Sequence, residues 1–342
     1  MSDRFVAALV ATAIVMVAPI EAAGQAAVPT SDGWTVPRTA DGQPDLQGVW
    51  ASDSATPLER PEELADKAFL TDEELSTLQA RAAVLFNGET DAAFGESVFR
   101  AVLADATDFR SRDTQTGNYN QFWLIDRWFD NRTSLIVDPA DGRIPPLTPD
   151  GQARRQARAE ARRPRNVPPS GPEDLGGMRC LGGGVPMTGR GYNSNYQIVQ
   201  SPGYVAILME MMHETRIIQL DGRPHLPTTV RSALGDSRGH WEGDTLVVET
   251  TNLKARGRNG SSSNLQLVER FTRVDRDTLQ YEYTMNDPTT WTRPWTARIF
   301  MRPAPGTGVI YEFACHEGNY AIPNTLRGAR AQEKAAEHAA KE

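Results

Sequence analysis

From Tyr192 to Cys315 the chain repeats one pattern, in which short runs rich in apolar and β-branched residues alternate with short polar turns. The runs are Tyr196–Gln200, Tyr204–Leu220, the two halves of His240–Thr250, Leu267–Val274, Leu279–Met285, Thr290–Met301 and Val309–Cys315. The breaks are Ser201-Pro202-Gly203, Asp275–Asp277, Asn286-Asp287-Pro288 and Pro303–Gly308, and Gly243 marks a tight hairpin within His240–Thr250. Strands so evenly spaced predict an antiparallel meander that closes as a barrel or a folded sandwich.

Within it, Val205–Ile218 (V-A-I-L-M-E-M-M-H-E-T-R-I-I) is the most apolar run after the N-terminus, yet it holds Glu210, His213, Glu214 and Arg216. Read as one strand, period two puts Val205, Ile207, Met209, Met211, His213 and Thr215 on one face. Leu208, Glu210, Met212, Glu214 and Arg216 then lie on the other. Neither face is cleanly polar, which suits a wall with one side in a core and one side lining a cavity.

The N-terminal half reads differently. Residues 1–27 have the layout of a secretory leader, with Arg4, an apolar run over Phe5–Ile20 and small residues at Ala22–Ala27. The apolar run is short for a membrane span. Residues 28–44 read as an extended arm and Asp45–Trp50 as a first strand, followed by a helical and loop insertion to 190. Thr71 with Glu74 forms a capping box that opens a helix to Phe86. Asp91–Ala104 places Phe94, Val98 and Val102 at helical spacing, and Tyr119–Val137 mixes aromatics with Asp126, Arg127, Asp130 and Arg132. Thr148-Pro149 starts a helix to Arg163, and Arg165–Pro186 is a long Pro/Gly loop. The barrel-like region covers 191–327, and a charged, Ala-rich tail covers 328–342. The class is mainly β with added helices (α+β), the helical insertion following the first strand.

Gly48-Val49-Trp50 is similar to the G-x-W signature on the opening strand of lipocalin-type barrels. With G-D-S-R-G-H-W-E-G-D-T-L-V-V-E-T and D-P-T-T-W-T-R-P-W-T, the chain resembles an uncharacterised family of exported bacterial proteins with a lipocalin-like β-rich C-terminal half. The resemblance implies compartment and fold, and no activity.

A periplasmic or secreted location agrees with the cysteines. There are two, Cys180 and Cys315, and an isolated pair in an oxidising compartment predicts a disulfide. The net charge of −8 gives no electrostatic footprint for nucleic acid or anionic lipid. No partner is expected beyond a small molecule.

Three histidines, His213, His240 and His316, fall in or beside expected strands, with Glu214, Glu242 and Glu317 as neighbours. Converging in a barrel, they would supply a group titrating near neutrality, and Arg216 would hold a substrate anion. A metal held by the same three histidines is the lesser alternative, since no metal-ligand spacing such as H-E-x-x-H or C-x-x-C occurs, and no cofactor is expected. No G-x-S-x-G marks a serine nucleophile. Met209, Met211, Tyr281, Tyr283, Trp291 and Trp295 would line a pocket for an apolar molecule, or belong to the core. The expectation is an exported enzyme doing cofactor-independent acid–base chemistry as a lyase, isomerase, cyclase or hydrolase. Its catalytic groups would be His213, Glu214, Arg216, His240, His316 and Glu317. The alternatives are a non-catalytic carrier of an apolar ligand and a His-ligated metalloenzyme.

Overall fold

Four residues, Gly48–Ala51 (β1), close a barrel. In the computed structural model Trp50 pairs with Tyr196 on one side and Pro303 on the other, and Ala51 with Asn195 and Arg302. The structure describes residues 33–87, 90–93, 96–106, 109, 120–124, 126–161, 167–189, 191–254, 258–306 and 308–341. The leader expected over 1–27, the first residues of the arm (28–32), Phe94 and the end of the helix expected to reach Arg163 lie outside these.

The other staves are Asn195–Ser201 (β3), Tyr204–Met209 (β4), Glu214–Gln219 (β5), Asp236–Glu242 (β6), Thr245–Thr251 (β7), Gln266–Asp275 (β8), Thr278–Asn286 (β9) and Trp295–Pro303 (β10). Each pairs with the next antiparallel, except that β5 and β6 meet in parallel at Gln219 and Arg238. Nine strands thus close on themselves, and a tenth, Ile136–Asp138 (β2), flanks β10 at its other end. The architecture is α+β, with a mixed, largely antiparallel barrel and, among the described residues, four α-helices, mostly N-terminal. Among the described residues no helix is long and apolar enough to cross a membrane.

Two sequence expectations change. Tyr204–Leu220 is not one strand, because Glu210–His213 turns the chain so that Met209 pairs with Glu214. Paired residues share a face, so Val205, Ile207 and Met209 point inward together with Arg216 and Ile218, which period two had set opposite them. Val309–Cys315 joins no strand and is largely exposed. Its neighbour β10 is already flanked by β9 on one edge and by β1 and β2 on the other, so a closed barrel leaves it no ladder to enter.

The lumen is a packed core. Phe271, Tyr281, Tyr283, Trp295 and Trp291 form a column with successive ring centroids 5.0, 5.6, 6.0 and 5.6 Å apart. Through it runs one polar network. The buried Arg216 reaches Glu269 through Nη1 and Nη2 at 3.0 and 2.5 Å, Ser237 through Nε at 2.9 Å and Thr250 through Nη2 at 2.9 Å. The Tyr281 hydroxyl donates to Glu269 at 2.8 Å and accepts from the Met187 N–H at 2.9 Å. Met187 and Val185 are themselves buried, so the loop that carries them plugs the barrel.

The insertion has its own small core. Helices Asp72–Leu85 (α1) and Ser97–Leu103 (α2) bury Leu78, Leu85, Val98, Phe99 and Val102 with Phe129. The capping box is present, Thr71 Oγ1 accepting from the Glu74 N–H at 3.3 Å and Glu74 Oε2 from the Thr71 N–H at 2.8 Å. In Pro149–Glu160 (α3), a Cβ at Gly151 would stand 2.5 Å from the Thr290 carbonyl, so only glycine lets this helix meet the barrel so closely. Cys180 and Cys315 form the expected disulfide, tying the plug loop to the segment before the C-terminal helix Ala321–Ala339 (α4). Arg330 of α4 donates to the carbonyls of Ser170 and Pro169 at 3.0 and 2.9 Å.

Removing one member of the Arg216–Glu269 pair leaves a buried uncompensated charge. Arg216→Ala is expected to cost about 3–5 kcal/mol in urea unfolding. The double variant Arg216→Met with Glu269→Leu should recover most of that loss, and no recovery would mean the pair does more than neutralise itself.

Candidate functional site

Where the chain leaves β1 it continues extended along the barrel wall as Ser52-Asp53-Ser54-Ala55-Thr56. Residues 126–130 run beside it. The Trp128 N–H donates to the Asp53 carbonyl at 3.0 Å and the Ala55 N–H to the Trp128 carbonyl at 2.7 Å. This pairing fixes Arg127, whose Nη1 donates to the Ser54 carbonyl at 3.3 Å. Trp128 packs edge-on against Phe300 of β10 and beneath the Arg302 guanidinium, at 6.3 and 5.2 Å.

Arg127 lines two cavities. The larger, about 420 Å³, lies between α1 and the 121–129 segment and is walled by Ala82, Phe86, Val98, Trp128 and Phe129, with Asp126 and Arg302 at its polar side. The smaller, about 200 Å³, is hydroxyl-rich, with Ser52, Ser54, Thr56, Thr188 and Tyr283 around Arg127 and Glu96. Arg127 Nε and Nη2, Arg302 Nε and Asp53 Oδ1 are shielded from solvent and meet no hydrogen-bonding group among the described residues. Asp53 Oδ2 accepts from Arg302 Nη2 at 2.5 Å. Burial raises the Asp53 carboxyl above its ordinary value, with Arg302 opposing. Burial also lowers the Arg127 guanidinium, with Asp53 offsetting part. Buried polar atoms are nearly always satisfied, so four orphans around one pair of cavities mark this place.

The residues singled out from sequence are dispersed. His213 is exposed on the β4–β5 turn, and His316 and Glu317 are exposed in the C-terminal segment. His240 lies outside the barrel, 3.1 Å from Glu242, which also takes Arg270 at 2.8 Å. Arg216 is committed to the lumen network. Met209, Tyr281, Trp291 and Trp295 belong to the packed core, as does Tyr283, which also borders the smaller cavity. Met211 is half-buried on the turn. Among the described residues no group of three or more His, Cys, Asp or Glu is placed to hold a metal.

Glu214 stands apart. It is half-buried at the barrel mouth, accepts from the Gly184 backbone, and its Oε2 has no partner. A Cβ at Gly182 would fall 1.6 Å from that oxygen, so the plug loop approaches only because it is glycine there.

Sequence reasoning missed Arg127, Asp53, Arg302 and Glu96 as a group. The one local signal was the density of aromatics and charge over Tyr119–Val137, which includes Arg127 and Trp128. Comparison of the chain with protein families, curated proteins and solved structures finds no match.

Burial raises the Glu214 carboxyl, so the folded state holds a proton that the unfolded chain releases. Its contribution to stability is full below the unfolded carboxylate value and is lost as pH rises through the raised one. Glu214→Gln should therefore be more stable than wild type at pH 7, with the difference shrinking toward about pH 4 in pH-resolved thermal unfolding. A difference constant with pH would count against this assignment.

Proposed function

We propose that the protein is an exported binding protein for a small organic molecule, held in the cleft between the barrel wall and the helical insertion. The observation that carries this reading is the Arg127 guanidinium, which borders both cavities with Nε and Nη2 unmet by any acceptor among the described residues. A shielded guanidinium edge left unpaired is costly, and such a cost is usual where a ligand completes the site. The lipocalin resemblance implies a ligand inside the barrel. Here the aromatic column and the plug of Val185 and Met187 occupy that space, and the cleft outside the wall offers the room instead. The leader and the Cys180–Cys315 bond support export.

Turnover by histidine acid–base chemistry lacks the convergence it requires, since His213, His240 and His316 are exposed and border neither cavity. Asp53 favours a second reading in which the same site is catalytic. Its carboxyl is raised by burial and its Oδ1 is unpartnered, the properties of a proton acceptor beside an arginine-held substrate.

Ala83 borders the larger cavity from the exposed side of α1, so Ala83→Trp should fill the cavity and leave the fold within about 1 kcal/mol of wild type. Both proteins would be dialysed against a small-molecule extract and the retained compounds identified by mass spectrometry. Wild type is expected to retain a compound that the variant does not. Equal retention, or none by either, would remove the cleft as the binding site.

A further inference from the structure

We infer that the ligand of this cleft is an organic carboxylate with an apolar body, its two oxygens gripped side-on by Arg127; the inference rests on the binding reading above. Guanidinium nitrogens are not equivalent. Nη1 of Arg127 already donates to the Ser54 carbonyl, so what is left is Nε and Nη2, the two nitrogens of one edge. Their N–H bonds run roughly parallel, and a carboxylate presents two oxygens at the matching separation.

The chain uses the same edge on its own carboxylates elsewhere. Arg132 donates to Asp130 Oδ2 through Nε at 3.0 Å and Nη2 at 2.6 Å. Arg298 donates to Glu282 Oε2 through Nε and Nη2, both at 2.8 Å. At Arg127 the nearby internal candidate, Asp53, is turned to Arg302 and meets Arg127 only through space. The protein thus holds a fork of the kind it pairs internally and, among the described residues, gives it none of its own acids.

Charge narrows the class. Besides Arg127 and Arg302, the cavities and their immediate surroundings carry Asp53, Asp126 and Glu96, and Glu96 also faces Arg100 at 3.5 Å. A doubly charged phosphate would meet those carboxylates at close range, whereas one delocalised negative charge is matched by the fork alone. The walls name the rest of the molecule. Phe86, Val98, Trp128 and Phe129 give the larger cavity an apolar, ring-lined side, and its volume lies within the range of ligand clefts. A short hydrophilic acid would leave that side uncovered, so an aryl or branched alkyl acid is the fitting shape.

The test is isothermal calorimetry on the mature, disulfide-intact protein. The probes are benzoate, cinnamate and 4-phenylbutyrate, each beside its neutral amide, and phenylphosphonate. At least one acid should bind, about tenfold or more tighter than its amide. Arg127→Met should erase that preference, and Arg127→Lys should restore only part of it, because an ammonium lacks the fork. Circular dichroism and thermal unfolding would confirm that both variants are folded. Acids and amides binding alike, acid binding untouched by Arg127→Met, phenylphosphonate binding more tightly than every acid, or no acid binding at millimolar concentration would each overturn the inference. Ala83→Trp separates the two readings. If wild type binds acids and amides alike and Ala83→Trp blocks both, the cleft stands although the carboxylate does not; if acids bind Ala83→Trp as they bind wild type, the cleft itself is wrong.

Discussion

The structure depends on a four-residue seam. β1 hydrogen-bonds β3 along its whole length and β10 through Trp50 and Ala51, and without it the ladder from β3 to β10 would be an open sheet with two long edges. Trp50 fastens the seam from inside, its Nε1–H donating to the Leu46 carbonyl at 2.9 Å. The very next residue begins the insertion, and apart from β2 against β10 the chain rejoins the ladder only at Asn195. The location of the cleft follows from this. A segment that leaves a closed barrel still has backbone groups to satisfy, and Asp53, Ser54 and Ala55 pair theirs with Arg127 and Trp128. The insertion is therefore pinned along one line, with α1 across the larger cavity from it.

The lumen of the barrel is filled by its own side chains. Nine staves enclose a volume that large side chains can fill, and five aromatic rings fill it. In the Arg216–Glu269 network every Arg216 nitrogen donates to Glu269, Ser237 or Thr250, and the Tyr281 hydroxyl donates to Glu269 while accepting from the Met187 N–H. A satisfied interior network fixes register, and an orphaned cation does not. Two arginines of one chain thus carry opposite meanings: Arg216 is finished by the fold and Arg127 is not.

What the sequence revealed follows the range of the forces involved. The capping box at Thr71 and the hairpin at Gly243 are local, encoded within a few residues, and both stand where they were expected. The disulfide was legible because only two cysteines exist to form it. The β4–β5 turn was not, because Glu210-Met211-Met212-His213 contains no Gly, Pro, Asn or Asp. Met212 and His213 nevertheless sit at φ 62° and 52°, a conformation the closed ladder imposes and local preference opposes. The candidate site was hidden for a related reason. Arg127 becomes notable only beside Ser54, 73 residues earlier, and no periodicity spans that distance.

The covalent link between Cys180 and Cys315, 135 positions apart, encloses every stave from β3 to β10 in one ring. Mechanical load applied to α4 therefore divides at Cys315, part running back along the chain to β10 and part crossing to Cys180, at the foot of the loop that carries Val185 and Met187 into the barrel. A pull on the C-terminus thus tugs the plug loop and the last strand together, and cutting α4 away would leave the ring closed while losing the Arg330 bonds to Pro169 and Ser170.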